Sequence, residues 1–238
     1  MAANETHVDS LPKTGLLLIG MGLGRMEGMT LEALEAATLA DHRRYEAYTA
    51  LWPEAELARL EAKVGPIQRV MRPEVEDPTE LLELAASSLV ALLVVGDPLQ
   101  ATTHVDLQLR AAEAGVSCRV LHGVSITTLV TGAVGLSNYK FGRQTTFTYP
   151  YGNWIATSPL EVVASNWSQN LHSLVLLDLD PTGQGIGDQR PMTPADAVRS
   201  LGMMWHSMQT NEDDGSAEDA PATVFQRSMQ TDFLEQSM

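Results

Sequence analysis

The segment Leu89–Val95 is an unbroken apolar run of strand length, and it stops abruptly at Gly96-Asp97-Pro98. A half-buried strand alternates apolar and polar residues. A strand with no polar face must be covered on both sides, as in the middle of a parallel sheet. Two more strands are expected. Gly15–Ile19 ends in the glycine turn Gly20-Met21-Gly22-Leu23-Gly24, and Val116–Leu121 follows Gly115. Shorter strands are expected around Arg44–Tyr48 and Pro66–Met71.

Helical patterns fill the gaps: Thr30–Leu39, Glu54–Lys63, a segment from Asp77 to about Ser88, and Val105–Ala114. Asp77-Pro78-Thr79-Glu80 combines a cap, an early proline and an acid. Thr103-His104-Val105-Asp106 reads as a capping box. A strand–helix alternation of this kind predicts a mostly parallel sheet with right-handed crossovers.

The pattern changes after Gly142. Thr145–Tyr149 is rich in Thr and aromatics, Ser158-Pro159-Leu160-Glu161 is another capping box, Ser173–Leu179 is a strand, and Thr193-Pro194-Ala195-Asp196 opens a last helix to about Met208. The expected organisation is an extension over residues 1–14, an N-terminal α/β domain over 15–142, and a second domain over 143–238 with an acidic loop at 209–222.

Composition narrows the function classes. A net charge of −15 argues against a nucleic-acid partner, because phosphates would be repelled over most of the surface. Lys13, Lys63 and Lys140 are the only lysines. An acidic, lysine-poor surface suits a high-salt cytoplasm or ordinary solubility, and both readings stay open. No apolar run reaches the ~18 residues of a membrane span, and the polar start, Met1–Thr14, lacks the order of a secretory signal. A cytoplasmic protein is expected. The single Cys118 lies in an apolar run and reads as a buried structural thiol, while the scattered histidines offer no metal-ligand spacing.

In open α/β sheets ligands bind beyond the carboxyl ends of the strands. Gly20–Gly24, Gly96–His104 and His122–Thr127 all fall there. The glycine turn departs from the dinucleotide fingerprint, with Arg25 where its third glycine belongs. Glu46 reads as a solvated charge or as an acid that binds ribose. Asp97 reads as a ligand acceptor or as the cap of its own turn. His104 is a candidate base, or simply a residue at a helix start. No triad or pair of carboxylates is evident, and no catalytic residue is assigned.

Longer motifs carry a resemblance. The nonamer Gly96-Asp97-Pro98-Leu99-Gln100-Ala101-Thr102-Thr103-His104 resembles the GDPLVATTH block of the diphthine synthases, with Gln100 in place of valine. Glu46-Ala47-Tyr48-Thr49, Gly123–Ile126, Gly135–Gly142, Tyr149–Trp154 and Leu174–Asp178 followed by Met192-Thr193 continue the likeness in order from about Gly15 to Met208. The resemblance implies an α/β, two-domain class III (tetrapyrrole methylase-like) methyltransferase fold. In it a mostly parallel N-terminal sheet is joined to a second, shortened α/β domain. It further implies an S-adenosyl-L-methionine cofactor in the cleft between domains, held by Leu23, Asp97, Gln100, Ser125, Ile126 and Leu177. The implied reaction is methyl transfer to the amino group of the modified histidine of translation elongation factor 2, in diphthamide biosynthesis, by a homodimer. No metal is implied.

After the acidic loop, Thr223–Met229 lacks the blocks that line the family's cofactor cleft further on. The C-terminal domain is therefore expected to be incomplete. Two other functions stay open: a tetrapyrrole-type methylase, and a catalytically impaired binding or dimer protein.

Overall fold

A computed structural model describes residues 11–187 and 189–211. Contacts divide the chain into two units. The first runs to Val130 and takes in Gln184–Gly187, and the second begins at Thr131. The division falls within a helix, ahead of the change of pattern at Gly142. The first ten residues of the expected extension, the acidic loop beyond Asn211 and the tail with Thr223–Met229 lie outside the described residues.

The first unit is built on five strands: β1 (Gly15–Gly20), β2 (His42–Glu46), β3 (Gln68–Val70), β4 (Leu89–Val94) and β5 (Cys118–Leu121). They pair in the order β3-β2-β4-β1-β5, and every pairing is parallel. Its helices are α1 (Leu31–Leu39), α2 (Glu54–Val64), α3 (Arg72–Glu76), α4 (Thr79–Ser87), α5 (His104–Glu113) and α6 (Ile126–Ala133), the last crossing into the second unit.

All residues of β1 and β4 are buried, as continuous apolar runs require. Successive side chains on a strand point to opposite faces. Leu17, Ile19, Leu89, Ala91 and Leu93 accordingly pack on one side with Ala33, Ala36 and Ala37 of α1 and Leu57 and Leu60 of α2. Leu16, Leu18, Val90, Leu92 and Val94 pack on the other with Leu81, Leu82 and Ala85 of α4 and Leu107 and Ala111 of α5. The α1 face is alanine, which lets that helix lie close to the sheet.

The chain leaves β1 toward β2, returns to β4 beside β1, and crosses to β5 on the far side. Connections run in opposite directions from the centre of the sheet. This is the switch point at which an open α/β sheet leaves a crevice.

The second unit holds β6 (Thr145–Phe147) and β7 (Val175–Leu177), paired in parallel, with α7 (Ser158–Ser168) and α8 (Pro194–Asn211). Phe147, Tyr149, Ile155, Leu160, Ala164, Met192 and Met204 form its core. The carboxamide of buried Asn166 closes the entry to β6: its Oδ1 accepts from Arg143 N (3.0 Å), and its Nδ2 donates to Arg143 O (2.7 Å) and Ser173 Oγ (2.8 Å).

The start of α8 is a true capping box. Thr193 Oγ1 accepts from Asp196 N (3.2 Å), and Asp196 returns a carboxylate to Thr193 N (3.0 Å). Two other predicted boxes do not form. Thr103 makes no side-chain cap, because Asp106 turns instead to Arg110 one turn on (2.7 Å). At α7 the cap position is Thr157, not Ser158, and Glu161 accepts from the Thr157 hydroxyl (3.1 Å). At α4 the helix starts one residue later than the motif suggests, and Asp77 accepts from Thr79 Oγ1 (2.7 Å).

Candidate functional site

The carboxyl ends of β1, β4 and β5 converge on three glycines. A Cβ at Gly20 would meet Gly96 O at 2.8 Å and Gly123 Cα at 2.6 Å, so only backbone fits where the three segments cross. Gly22 and Gly96 bridge the first two segments through N–H···O bonds of 3.2 and 2.9 Å. Leu23 follows this bridge and is 43% exposed.

Asp97 is nearly buried and holds this end of the sheet together. Its Oδ1 accepts from Leu99 N (2.9 Å), which caps the turn. Its Oδ2 accepts from Gly123 N (3.2 Å) and from His122 Nδ1 (2.8 Å), reaching across to the segment after β5. The carboxylate is therefore a structural cap on one side and an anchor between two crevice walls on the other. An ionised carboxylate has about four acceptor positions, so part of its capacity stays open.

Ser125 is buried at the start of α6, where its Oγ accepts from Thr127 N (3.3 Å) and contacts Thr127 Oγ1 (2.9 Å). Gln100 is exposed and reaches Thr127 Oγ1 only weakly, at 3.5 Å. Ile126 presents an exposed apolar side chain. Between Gln100 and the helix, Ala101 has φ 55°, a left-handed conformation costly for a residue with a Cβ. Five of the six sequence-predicted contacts (Leu23, Asp97, Gln100, Ser125 and Ile126) thus gather at one end of one sheet. Leu177 belongs to the second unit, at the end of β7, paired with Phe147 and partly exposed.

Glu46 is not a solvated charge. It is 1% exposed, and its Oε2 lies 2.6 Å from Nε2 of His104, itself 1% exposed. The other ring nitrogen, Nδ1, donates to Pro98 O at 2.9 Å, and the Thr49 hydroxyl binds the second Glu46 oxygen. The Nε2 contact is an ion pair rather than a well-aligned hydrogen bond, since neither atom has a hydrogen-bond partner of good geometry. Burial disfavours the imidazolium, but the Glu46 carboxylate and the Pro98 carbonyl outweigh it and hold the His104 pKa above its ordinary value. Buried in this way, His104 cannot reach a substrate, and the pair ties the end of β2 to the Asp97–Thr103 turn.

Sequence reading missed both pairs. His122 had a usable signal, as a polar residue placed directly after an apolar parallel strand, where ligands are met. The partner of Glu46 had none, because nothing local links positions so far apart. Cys118 is half-buried rather than fully buried, and burial pushes its thiol up to about 11. Among the described residues no group of three His, Cys, Asp or Glu is placed to hold a metal, and no helix is long and apolar enough to cross a membrane.

This crevice has known counterparts. The profile of the Tetrapyrrole (Corrin/Porphyrin) Methylases matches residues 15–204. A diphthine synthase from Methanoregula boonei is 37% identical over 79% of this chain and 74% of its own length. One from Methanocorpusculum labreanum is 39% identical over 69% of this chain and 66% of its own.

The chain belongs to the diphthine synthase family of the tetrapyrrole methylases.

A crystal structure of diphthine synthase superposes with a TM-score of 0.69 at 34% identity, covering 81% of this chain and 72% of that one. The two-domain α/β fold expected from the motifs is the family's fold. The matched segment spans between about two thirds and three quarters of the relatives' lengths.

Proposed function

We propose that the chain transfers a methyl group from S-adenosyl-L-methionine to the amino group of a modified histidine on translation elongation factor 2, the step that makes diphthine. Methyl transfer itself follows from membership of the methylase family. The observation that carries the cofactor assignment is the gathering of Leu23, Asp97, Gln100, Ser125 and Ile126 at the switch point of the sheet.

The residues fit such a group. The crossing glycine backbones keep side chains out of the crevice floor. Exposed Leu23 and Ile126 offer apolar cover for a nucleoside, and Asp97 keeps acceptor capacity for a hydroxyl or an ammonium. Leu177, at the end of β7, is proposed as a cofactor contact from the resemblance alone. The methyl donor supplies an electrophilic carbon on a positively charged sulfur, and the protein's contribution is to hold donor and amine in line. Positioning of this kind is worth up to about 7–11 kcal/mol in favourable cases. We also assign a cytoplasmic homodimer, the 15–142 and 143–238 domain division, and the use of Gln100 as a pocket amide where relatives of the resembled motif carry valine.

The test is isothermal titration with S-adenosyl-L-methionine and S-adenosylhomocysteine, followed by a methylation assay on elongation factor 2. Binding near 1 μM, about −8 kcal/mol, that disappears in Asp97→Ala supports the reading. A folded chain that binds neither ligand refutes it and leaves a binding or dimer protein.

A further inference from the structure

The geometry points to His122 as the catalytic base that takes a proton from the substrate amine. This inference rests on the amine acceptor proposed above and goes beyond it. The sequence offered His104 as its candidate base, and the structure removes it from contention by burying it against Glu46.

The positioning is specific. Asp97 is held by two backbone N–H groups, Leu99 N and Gly123 N, so its carboxylate cannot swing. His122 Nδ1 lies 2.8 Å from Asp97 Oδ2. An ionised carboxylate only accepts, so Nδ1 carries the proton and the lone pair of a neutral ring sits on Nε2. The His122 side chain is 70% exposed while that of Asp97 is 9% exposed. A fixed, sheltered carboxylate behind an open imidazole is the arrangement that orients a histidine as base and stabilises the imidazolium it becomes. Asp97 is the charged group facing the ring. The neighbouring segments Leu99–Thr103 and Ser125–Thr127 carry no charge.

The chemistry requires such a group near neutral pH. An α-amino group has a pKa of about 7.7–8.0 and an alkylamine about 10, so the acceptor arrives largely as ammonium with no lone pair. Nε2 of His122 takes one N–H proton, and the electron pair of that bond stays on nitrogen. The nitrogen then attacks the methyl carbon; the C–N bond forms as the C–S bond breaks, and that pair goes to sulfur, leaving a neutral thioether. The exposed edge of the ring returns the proton to water.

The test compares His122→Gln with the unaltered chain in three measurements. The glutamine can still bond Asp97 but cannot accept a proton, and the exposed site should spare the fold, as a thermal melt would verify. By titration, S-adenosyl-L-methionine affinity is expected to stay within about threefold, since a base for the amine is not required to bind the donor. Single-turnover methyl transfer near neutral pH is expected to fall on the order of 10²–10⁴-fold, with the deficit shrinking as pH approaches the amine's own pKa. Ring ¹⁵N shifts of the unliganded chain should show His122 protonated at Nδ1, and the Asp97→Asn variant should lose that preference. Unchanged rate and pH profile in His122→Gln, a loss of affinity that accounts for the whole loss of rate, or an Nε2–H tautomer overturns the assignment. An unaltered chain that binds donor yet methylates nothing sinks the proposed function and the base with it. An active chain indifferent to His122→Gln sinks the base alone.

Discussion

Replacing Glu46 by Gln tests the buried ion pair most sharply. The substitution keeps the volume and one acceptor oxygen but removes the charge facing His104, leaving an imidazole with 1% exposure. Breaking a buried pair by removing one partner costs about 3–5 kcal/mol, because the survivor's charge is uncompensated. For a chain of this size each kcal/mol moves the melting temperature by about 2–4 °C, so a fall of about 6–20 °C is expected where the pair is fully formed.

The pH dependence separates this from loss of packing. The folded His104 pKa lies above its unfolded value of 6.5. A group raised on folding contributes all its stability below the unfolded value and loses it as pH rises through the folded one. The gap between the unaltered chain and Glu46→Gln should therefore be widest near pH 6 and close as the solution becomes alkaline. Melts by circular dichroism across that range read it directly. An equal gap near pH 6 and near pH 9, or none at either, would refute an ion pair at this site.

Three further outcomes follow from the geometry. Gly123→Ala places a Cβ against the backbone of Gly96 and Gly20; overpacking of this kind costs about 1–3 kcal/mol, and titration should show donor binding lost along with it. Ala101→Gly relieves the left-handed backbone at φ 55° and should stabilise the chain by up to about 1 kcal/mol, unless the loop relaxes away from Gln100; denaturant melts decide the sign. With its pKa pushed up to about 11, Cys118 should react with iodoacetamide on the order of 100-fold more slowly than free cysteine at neutral pH and speed up on alkalinisation.

Much of the first unit was legible in the sequence, because its central strands β1 and β4 are apolar runs and several of its helices carry the 3.6-residue period. Leu89–Val95 alone required cover on both faces, and the structure supplies α1 and α2 on one and α4 and α5 on the other. The motif around Asp97 located the candidate site for the same local reason: the nonamer is contiguous, so order along the chain is enough to find it. The caps were less legible. Thr103 and Asp106 have the right spacing for a box, yet a competing partner, Arg110 one turn away, draws the acid off.

What the sequence alone determined, then, is the alternation of strand and helix and the family to which the motifs belong. The tertiary structure decided which charged groups meet. Glu46 and His104 are far apart in the chain and become an ion pair only because β2 and β4 are neighbours, so that their carboxyl ends bring the two side chains together. Asp97 and His122 meet because β4 and β5 flank β1 in the same sheet. Local pattern reports backbone propensity and burial, which act over a few residues. Pairing of charges depends on strand order, which is fixed by the collapse of the whole sheet.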